Sequence, residues 1–492
     1  MSSHGKSLLD FSRRELLVAG GSALAATSFG LGPILHAEYD VVIANGRVID
    51  PEKRLDGIRF VGIRGGQIAT VSKSPIKGRK TIDATGLVVA PGFIDPISHG
   101  QDLENDQVQV FDGVTTKLQL EGGVRDQDAW HKQQKGNRIC NFGAGVGHPT
   151  IRREVMGNDH DAELSASTPE QVAKMAAIID EQLKKGAMAV GFGFEYVPGS
   201  TRLEALEMFK IAAKHQASCH VHMRYGTYLE EQSVFTAIEE VVALSLMTGA
   251  PLHIVHVPSM ALGNTAKALE MINMAQKAML GRDAYLSCDF YPYTAFGTGI
   301  GSEVFAEGWQ QRFGIDYKDL EYAKTHERLT AETFEKYRKD GGMVIAHAIP
   351  ESAVQVAVKN PWVMVGSDGG LSKGVGHPRS SGSFARVVGH YSRDLKLISL
   401  PEAIEKMTLQ AANRMQHKAP AFRKKGRIQS GCDADIVVFD PKTIIDRATF
   451  DEPALTSLGM HHVFINGIQA ISNGILTEAK PGKGIQGMTL KK

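Results

Sequence analysis

Four stretches of this sequence end in side chains that bind metals or carry protons. Thr115-Thr116-Lys117-Leu118-Gln119-Leu120-Glu121 alternates, with Leu118 and Leu120 on one face and Lys117, Gln119 and Glu121 on the other. Cys219-His220-Val221-His222-Met223-Arg224 puts both histidines and Arg224 on one face. Leu252-His253-Ile254-Val255-His256 ends on His256, with His253 facing the opposite way, and Val363-Met364-Val365-Gly366-Ser367-Asp368 ends on Asp368 before Gly369-Gly370. Taken singly these are weak signals: a strand-end histidine is more often hydrogen-bonded structure than ligand, and an Asp before Gly-Gly is usually a turn residue. Glu121, His222, His256 and Asp368 at the same end of successive strands form a set. Two imidazoles and hard carboxylate oxygens are the donors of a catalytic zinc site, which keeps one position open for water. Burying such groups together is otherwise costly.

For those ends to meet, the strands must run parallel and close on themselves. Short apolar strands alternate with helical patterns over residues 91–416. The strands expected are Thr115-Leu120, Ala189-Phe194, Ser218-His222, Leu252-Val257, Ala284-Phe290, Val344-His347 and Val363-Gly366. Helix formers at 3.6-residue spacing lie between them, as in Gln171-Lys185 and Phe235-Thr248. The pattern predicts an α/β fold, a TIM-like (β/α)8 barrel whose active site lies at the C-terminal strand ends; an open doubly wound sheet is the alternative. Residues 294–342 break the rhythm and read as an insertion over the barrel mouth. The Gly-punctuated β-rich segments 38–90 and 417–480 predict a small β-sandwich built from both chain ends, with a tail over 481–492.

Other polar residues have two readings each. His220 sits two residues below His222 as a supporting group or a substitute ligand. His347 ends an apolar run and either lines the pocket or is structural. Lys117 lies ~13 Å along its strand from Glu121 and is expected to neutralise charge deep in the barrel. Cys219 and Cys288 are expected in the core.

The formal net charge of +1 gives no electrostatic case for nucleic acid or an anionic membrane. The four cysteines are scattered, with no CxxC pair. Ser12-Arg13-Arg14-Glu15-Leu16-Leu17 opens a Gly/Ala-rich apolar run, so residues 1–37 read as an export signal of twin-arginine type, with a membrane anchor as the alternative. That route suits a protein that folds and takes up metal before reaching the periplasm, and it predicts no stable membrane insertion of the mature chain.

Val89-Ala90-Pro91-Gly92-Phe93-Ile94-Asp95 with His99, and Gly431-Cys432-Asp433-Ala434-Asp435-Ile436-Val437, resemble the opening strand and the return segment of the amidohydrolase superfamily. Gly113-Val114-Thr115-Thr116, His222-Met223-Arg224, Gly366-Ser367-Asp368-Gly369 and His377-Pro378-Arg379 are similar to its D-aminoacylase branch. Leu120-Glu121-Gly122-Gly123 and Ser383-Phe384-Ala385-Arg386-Val387 look like the N-acyl-D-glutamate deacylase subgroup. The resemblance implies a zinc-dependent hydrolase of N-acyl-D-amino acids. By it, His222 and His256 are the main ligands and Glu121 stands where many relatives have a cysteine. Asp368 is the catalytic carboxylate, Arg379 holds the substrate carboxylate, and Tyr196, His377 and Arg224 border the substrate.

The first strand departs from that pattern. Asp95-Pro96-Ile97-Ser98-His99 places Ile97 where the first histidine of a His-x-His pair is expected. This leaves one metal held by Glu121, His222 and His256, or a damaged site, with His99 a weak second-metal ligand or a hydrogen bonder. The expected substrate is a small N-acyl amino acid or dipeptide. Cyclic-amide cleavage, or an inactive barrel serving as a binding protein, are the other readings.

Overall fold

The computed structural model describes residues 38–157, 160–226, 230–280 and 285–489. The export signal expected over residues 1–37 lies outside them. Eight parallel strands form a nearly closed barrel in chain order: Phe93–Asp95, Val114–Val124, Asn141–Gly147, Ala189–Gly193, Ser218–His222, Leu252–Ile254, Leu286–Phe290 and Val363–Val365. First and last meet through the Ser98–Gly369 bridge and a clasp in which Ser367 donates its backbone N–H to Asp95 Oδ1 at 2.9 Å and its hydroxyl to Oδ2 at 2.5 Å. Burial of Asp95 there pushes its carboxyl up to about 6, against the pull of those hydrogen bonds.

Helices cover the barrel because their apolar stripes match its outer face. Pro169–Lys184 starts at a Thr168 capping box and buries Val172, Met175, Ile179 and Leu183. Each such side chain contributes about 1.5–3 kcal/mol of apolar burial.

Two sequence expectations change here. Asn141–Gly147 is the third barrel strand, although its glycines hide it. A Cβ at Gly147 would lie 2.0 Å from the Gly122 carbonyl oxygen, so close backbone approach excludes a side chain. Conversely, the apolar run taken as barrel strand Val344-His347 is Met343–Ala346, which pairs antiparallel with Phe296–Gly299 and Leu320–Tyr322. It lies inside a four-stranded insertion sheet whose far edge is Glu327–Arg328, because an apolar run alone does not specify its partner.

A nine-stranded sheet joins the chain ends: Val88–Pro91 runs antiparallel to Ile436–Phe439, linking Tyr39–Asp50 and its neighbours to Met460–Ile465, Ile468–Ser472 and Ile475–Leu476. The segment expected as a tail is docked as far as Met488. Lys483 O accepts from Phe142 N at 3.0 Å, Ile485 N donates to Phe142 O at 2.7 Å, and Met488 N to Lys418 O at 2.7 Å. Ile485 is buried beside Leu118, Met188 and Phe422. No helix among the described residues is long and apolar enough to cross a membrane.

Candidate metal centre

Strand ends place the four groups, three of them through a local irregularity. Regular pairing of Val114–Val124 with Asn141–Gly147 stops at Gln119 and resumes at Val124, so Glu121 sits in a bulge that turns it inward. Gly191 makes room, since a Cβ there would lie 1.8 Å from the Glu121 carbonyl oxygen. His222 is the last residue of Ser218–His222. His256 and Asp368 both take positive φ, 34° and 51°, a conformation costly for side chains of this kind and held here by surrounding hydrogen bonds. Asp289 Oδ1 accepts from His256 N at 2.6 Å, and Asp368 N donates to Ile97 O at 2.8 Å.

The resulting geometry is a small triangle. His222 Nδ1 lies 3.2 Å from His256 Nε2, and each lies 3.4 Å from Glu121 Oε1. Ligand bonds of about 2.0–2.1 Å at tetrahedral angles separate donor atoms by about 3.3–3.5 Å, so the spacing of this triangle fits three ligands of a tetrahedral zinc-type site. The other ring nitrogens are occupied. Glu195 Oε2 is 2.8 Å from His222 Nε2, and Ser259 Oγ is 2.7 Å from His256 Nδ1. These partners fix the rings so that Nδ1 of His222 and Nε2 of His256 face the triangle.

A second group shares Glu121. His99 Nε2 is 3.2 Å from Glu121 Oε2 and 2.9 Å from Asp368 Oδ1. Glu121, His222 and His256, and separately His99, Glu121 and Asp368, bring one donor atom each within 4.8 Å of one another. Burial disfavours protonated histidine, yet Glu121 and Glu195 raise His222 to about 9, and Asp368 and Glu121 raise His99 to about 10. Against its own burial, Glu121 is held well below the carboxylate range by hydrogen bonds from His222, His256 and His99. The negative field behind these shifts is one a divalent cation would share. Ile97 is fully buried and offers no donor, and the first triangle forms without it.

A cavity of about 420 Å³ opens over the triangle. Asp368 Oδ2 lies 2.6 Å from Arg379 Nη1 at its edge, and Arg379 Nη2 donates to Gly297 O at 3.0 Å. Arg379 stacks on Tyr291 at 4.6 Å, and its buried Nε has no hydrogen-bond partner. Tyr196 lines the cavity with its hydroxyl 3.1 Å from Thr298 Oγ1. Met260, Phe296, Val304, Phe313 and Met343 contribute apolar surface to the lining.

Some expected site residues fall elsewhere. Arg224 is not on the cavity wall; its Nε and Nη2 grip Glu240 at 3.0 and 2.9 Å and its Nη1 donates to Ser200 O at 2.8 Å, so its donors are spent on structure. His377 does line the cavity, but Nε2 donates to Ala295 O and Nδ1 accepts from Arg379 N, both at 3.0 Å. It therefore braces Arg379 instead of contacting substrate through hydrogen bonds. His347 points to Glu321 at 3.0 Å, His220 stacks on His253 at 4.6 Å, and Lys117 pairs with Asp106 at 3.1 Å deep in the barrel. Glu195, Ser259 and Arg153 were not singled out from sequence. Glu195 lies two residues past the Gly193 strand end, and that position was its only available signal.

Comparison with known proteins follows the same lines. The sequence profile of the amidohydrolase family matches residues 80–470. A D-aminoacylase of Alcaligenes xylosoxydans xylosoxydans is 29% identical over 480 residues, 87% of this chain and 94% of that one. An N-acyl-D-glutamate deacylase of the same organism is 29% identical over 88% of this chain and 94% of its own length. Among solved structures, the zinc and phosphonate complex of Bordetella bronchiseptica N-acyl-D-glutamate deacylase superposes with a TM-score of 0.77 at 27% identity, covering 91% of this chain and 99% of that one. A D-aminoacylase structure described in terms of its binuclear metal centre, with one-metal activation and second-metal attenuation, gives 0.75 at 26% identity over 91% of this chain and 100% of its own.

Proposed function

The chain belongs to the amidohydrolase family, and on that premise we propose that it hydrolyses the amide bond of N-acyl-D-amino acids, releasing a carboxylate and a free D-amino acid. The observation that carries this reading is the Glu121–His222–His256 triangle with Asp368 and Arg379 at its lip. Glu121, His222 and His256 would hold one divalent ion, zinc by donor chemistry, and His99, Glu121 and Asp368 would offer a weaker second position. When bound, the ion supplies acidification of a water and polarisation of the acyl carbonyl.

The chain's own residues do the rest. Asp368 accepts the proton of the attacking water and returns it to the departing nitrogen as the C–N bond breaks. Arg379 lines the cavity, and its guanidinium is the group that pairs with the substrate α-carboxylate. His99 steadies Asp368 from the other side. Tyr196 packs on the His222 ring at 4.7 Å and keeps water from that flank.

The apolar part of the lining supports an apolar side chain on the amino acid. Glutamate is the second reading, favoured by Arg153, which lines the cavity edge in a 2.8 Å pair with Glu163. Turnover of N-acetyl-D- and L-amino acids by zinc-loaded protein tests the function; no amino acid released from any D-substrate refutes it. If glutamate is the substrate, Arg153→Gln lowers kcat/KM for N-acetyl-D-glutamate and leaves N-acetyl-D-leucine unchanged. We also assign the chain to the periplasm, on the strength of Arg13-Arg14 and the Gly/Ala-rich run that follows.

A further inference from the structure

Two residues of the insertion and one of the C-terminal segment form a second constellation of donors apart from the barrel ligands. Glu321 lies on strand Leu320–Tyr322 and His326 in the turn that leads to Glu327–Arg328. His326 Nδ1 is 3.4 Å from Glu321 Oε1 and 3.8 Å from Asp451 Oδ1, and the three donor atoms lie within 4.8 Å of one another. The first spacing is too long for a strong hydrogen bond and close to the ~3.4 Å that separates two ligands of one tetrahedral ion.

The carboxylate is oriented for this. Glu321 is only 4% exposed, and its other oxygen, Oε2, is engaged by His347 Nε2 at 3.0 Å and more loosely by Arg328 Nη2 at 3.5 Å. One oxygen is thus held by the fold while Oε1 faces His326 and Asp451, the division of labour seen when outer partners orient a metal-ligating carboxylate. Asp451 sits in an exposed loop and is free to close a longer gap.

We propose that Glu321, His326 and Asp451 form a separate site for a borderline divalent cation of the zinc class, completed by water. One imidazole with two carboxylates suits such an ion. The Arg328 charge beside Oε2 makes the site weaker than the barrel triangle. Its effect is to tie the insertion hairpin to the loop that carries Phe450. That ring packs edge-on against His347 at 4.7 Å and against His377 at 5.2 Å, and His377 is the wall behind Arg379. The ion would therefore stiffen the cavity wall without touching substrate. This inference stands apart from the amidase reading and does not depend on it.

The test is an equilibrium zinc titration by calorimetry of the full chain beside Asp451→Asn and His326→Asn, with melting temperature followed at each zinc level. Wild type should bind one equivalent more than either variant and gain a further zinc-dependent rise in Tm that both variants lose. Asp451→Asn, on an exposed loop, decides the matter should His326→Asn not fold. Equal stoichiometry and equal Tm response in wild type and Asp451→Asn overturn the proposal. So does an extra equivalent that appears only at millimolar zinc and persists in both variants.

Discussion

Replacing Glu195 should weaken the metal centre although Glu195 is not a ligand. Its Oε2 sits 2.8 Å from His222 Nε2, with both side chains less than a tenth exposed (7% and 9%). The contact makes Nε2 the protonated nitrogen and leaves the Nδ1 lone pair for the cation. Glu195→Leu removes the acceptor, strands a buried N–H, and frees the ring to rotate about its last bond. Partners of this kind are typically worth 10–100-fold in metal affinity, about 1.4–2.7 kcal/mol. That range agrees with about 1.5–3 kcal/mol for a hydrogen bond to a charged group. Glu195→Gln keeps an acceptor and loses the charge, so its defect should fall between wild type and Glu195→Leu. The assay is competition for zinc against a chromophoric chelator, with circular dichroism to verify the fold. Affinities of Glu195→Leu and wild type within a factor of two would falsify the orienting role.

Asp368→Asn should reduce turnover by about 10²–10⁴-fold, the usual weight of a general acid–base group, while zinc binding at the Glu121–His222–His256 triangle is kept; retained turnover removes Asp368 from the proton path. Arg379→Ala should chiefly raise KM for N-acetyl-D-amino acids, and an unchanged KM excludes it from carboxylate binding. His462 is pushed down to about 4 by burial, with His461 and Lys80 adding to it, and its Nδ1 accepts from Gln469 Nε2 at 3.2 Å and Asn473 N at 3.3 Å. The folded chain then binds fewer protons than the unfolded chain between pH 6.5 and about 4, so stability is intact above pH 6.5 and declines through that window as pH falls. The shift sets a ceiling of about 3 kcal/mol on the loss. Urea midpoints from pH 7 to 4 should fall less steeply in His462→Asn, and parallel slopes refute the assignment.

Much of the site was legible because period-two alternation and strand ends are local. Glu121, His222, His256 and Asp368 each close an apolar run, and the structure brings all four to one cavity. What escaped was decided by partners distant in sequence. Arg224 shares a face with His222 in the sequence, but Glu240 captures it from the following helix. His347 follows a barrel-like run that joins another sheet, and Asn141–Gly147 has Val146 as its one β-branched residue among three glycines, because at Gly145 and Gly147 the neighbouring backbones leave no room for a side chain. The Ile97 departure does not dismantle the triangle, whose three donors come from other strands.

The nine-stranded sheet and the docked segment ending at Met488 impose a timetable on folding. Val88–Pro91 leaves the ribosome early, yet its hydrogen-bonding partner Ile436–Phe439 follows several hundred residues later. At 5–20 residues per second that is a wait of about 20–70 s with an apolar strand edge unpaired. Phe142 likewise waits for Lys483 and Ile485 before its backbone is satisfied. The nascent chain thus passes through a long interval with an aggregation-prone strand edge exposed, the interval in which chaperones protect such a chain.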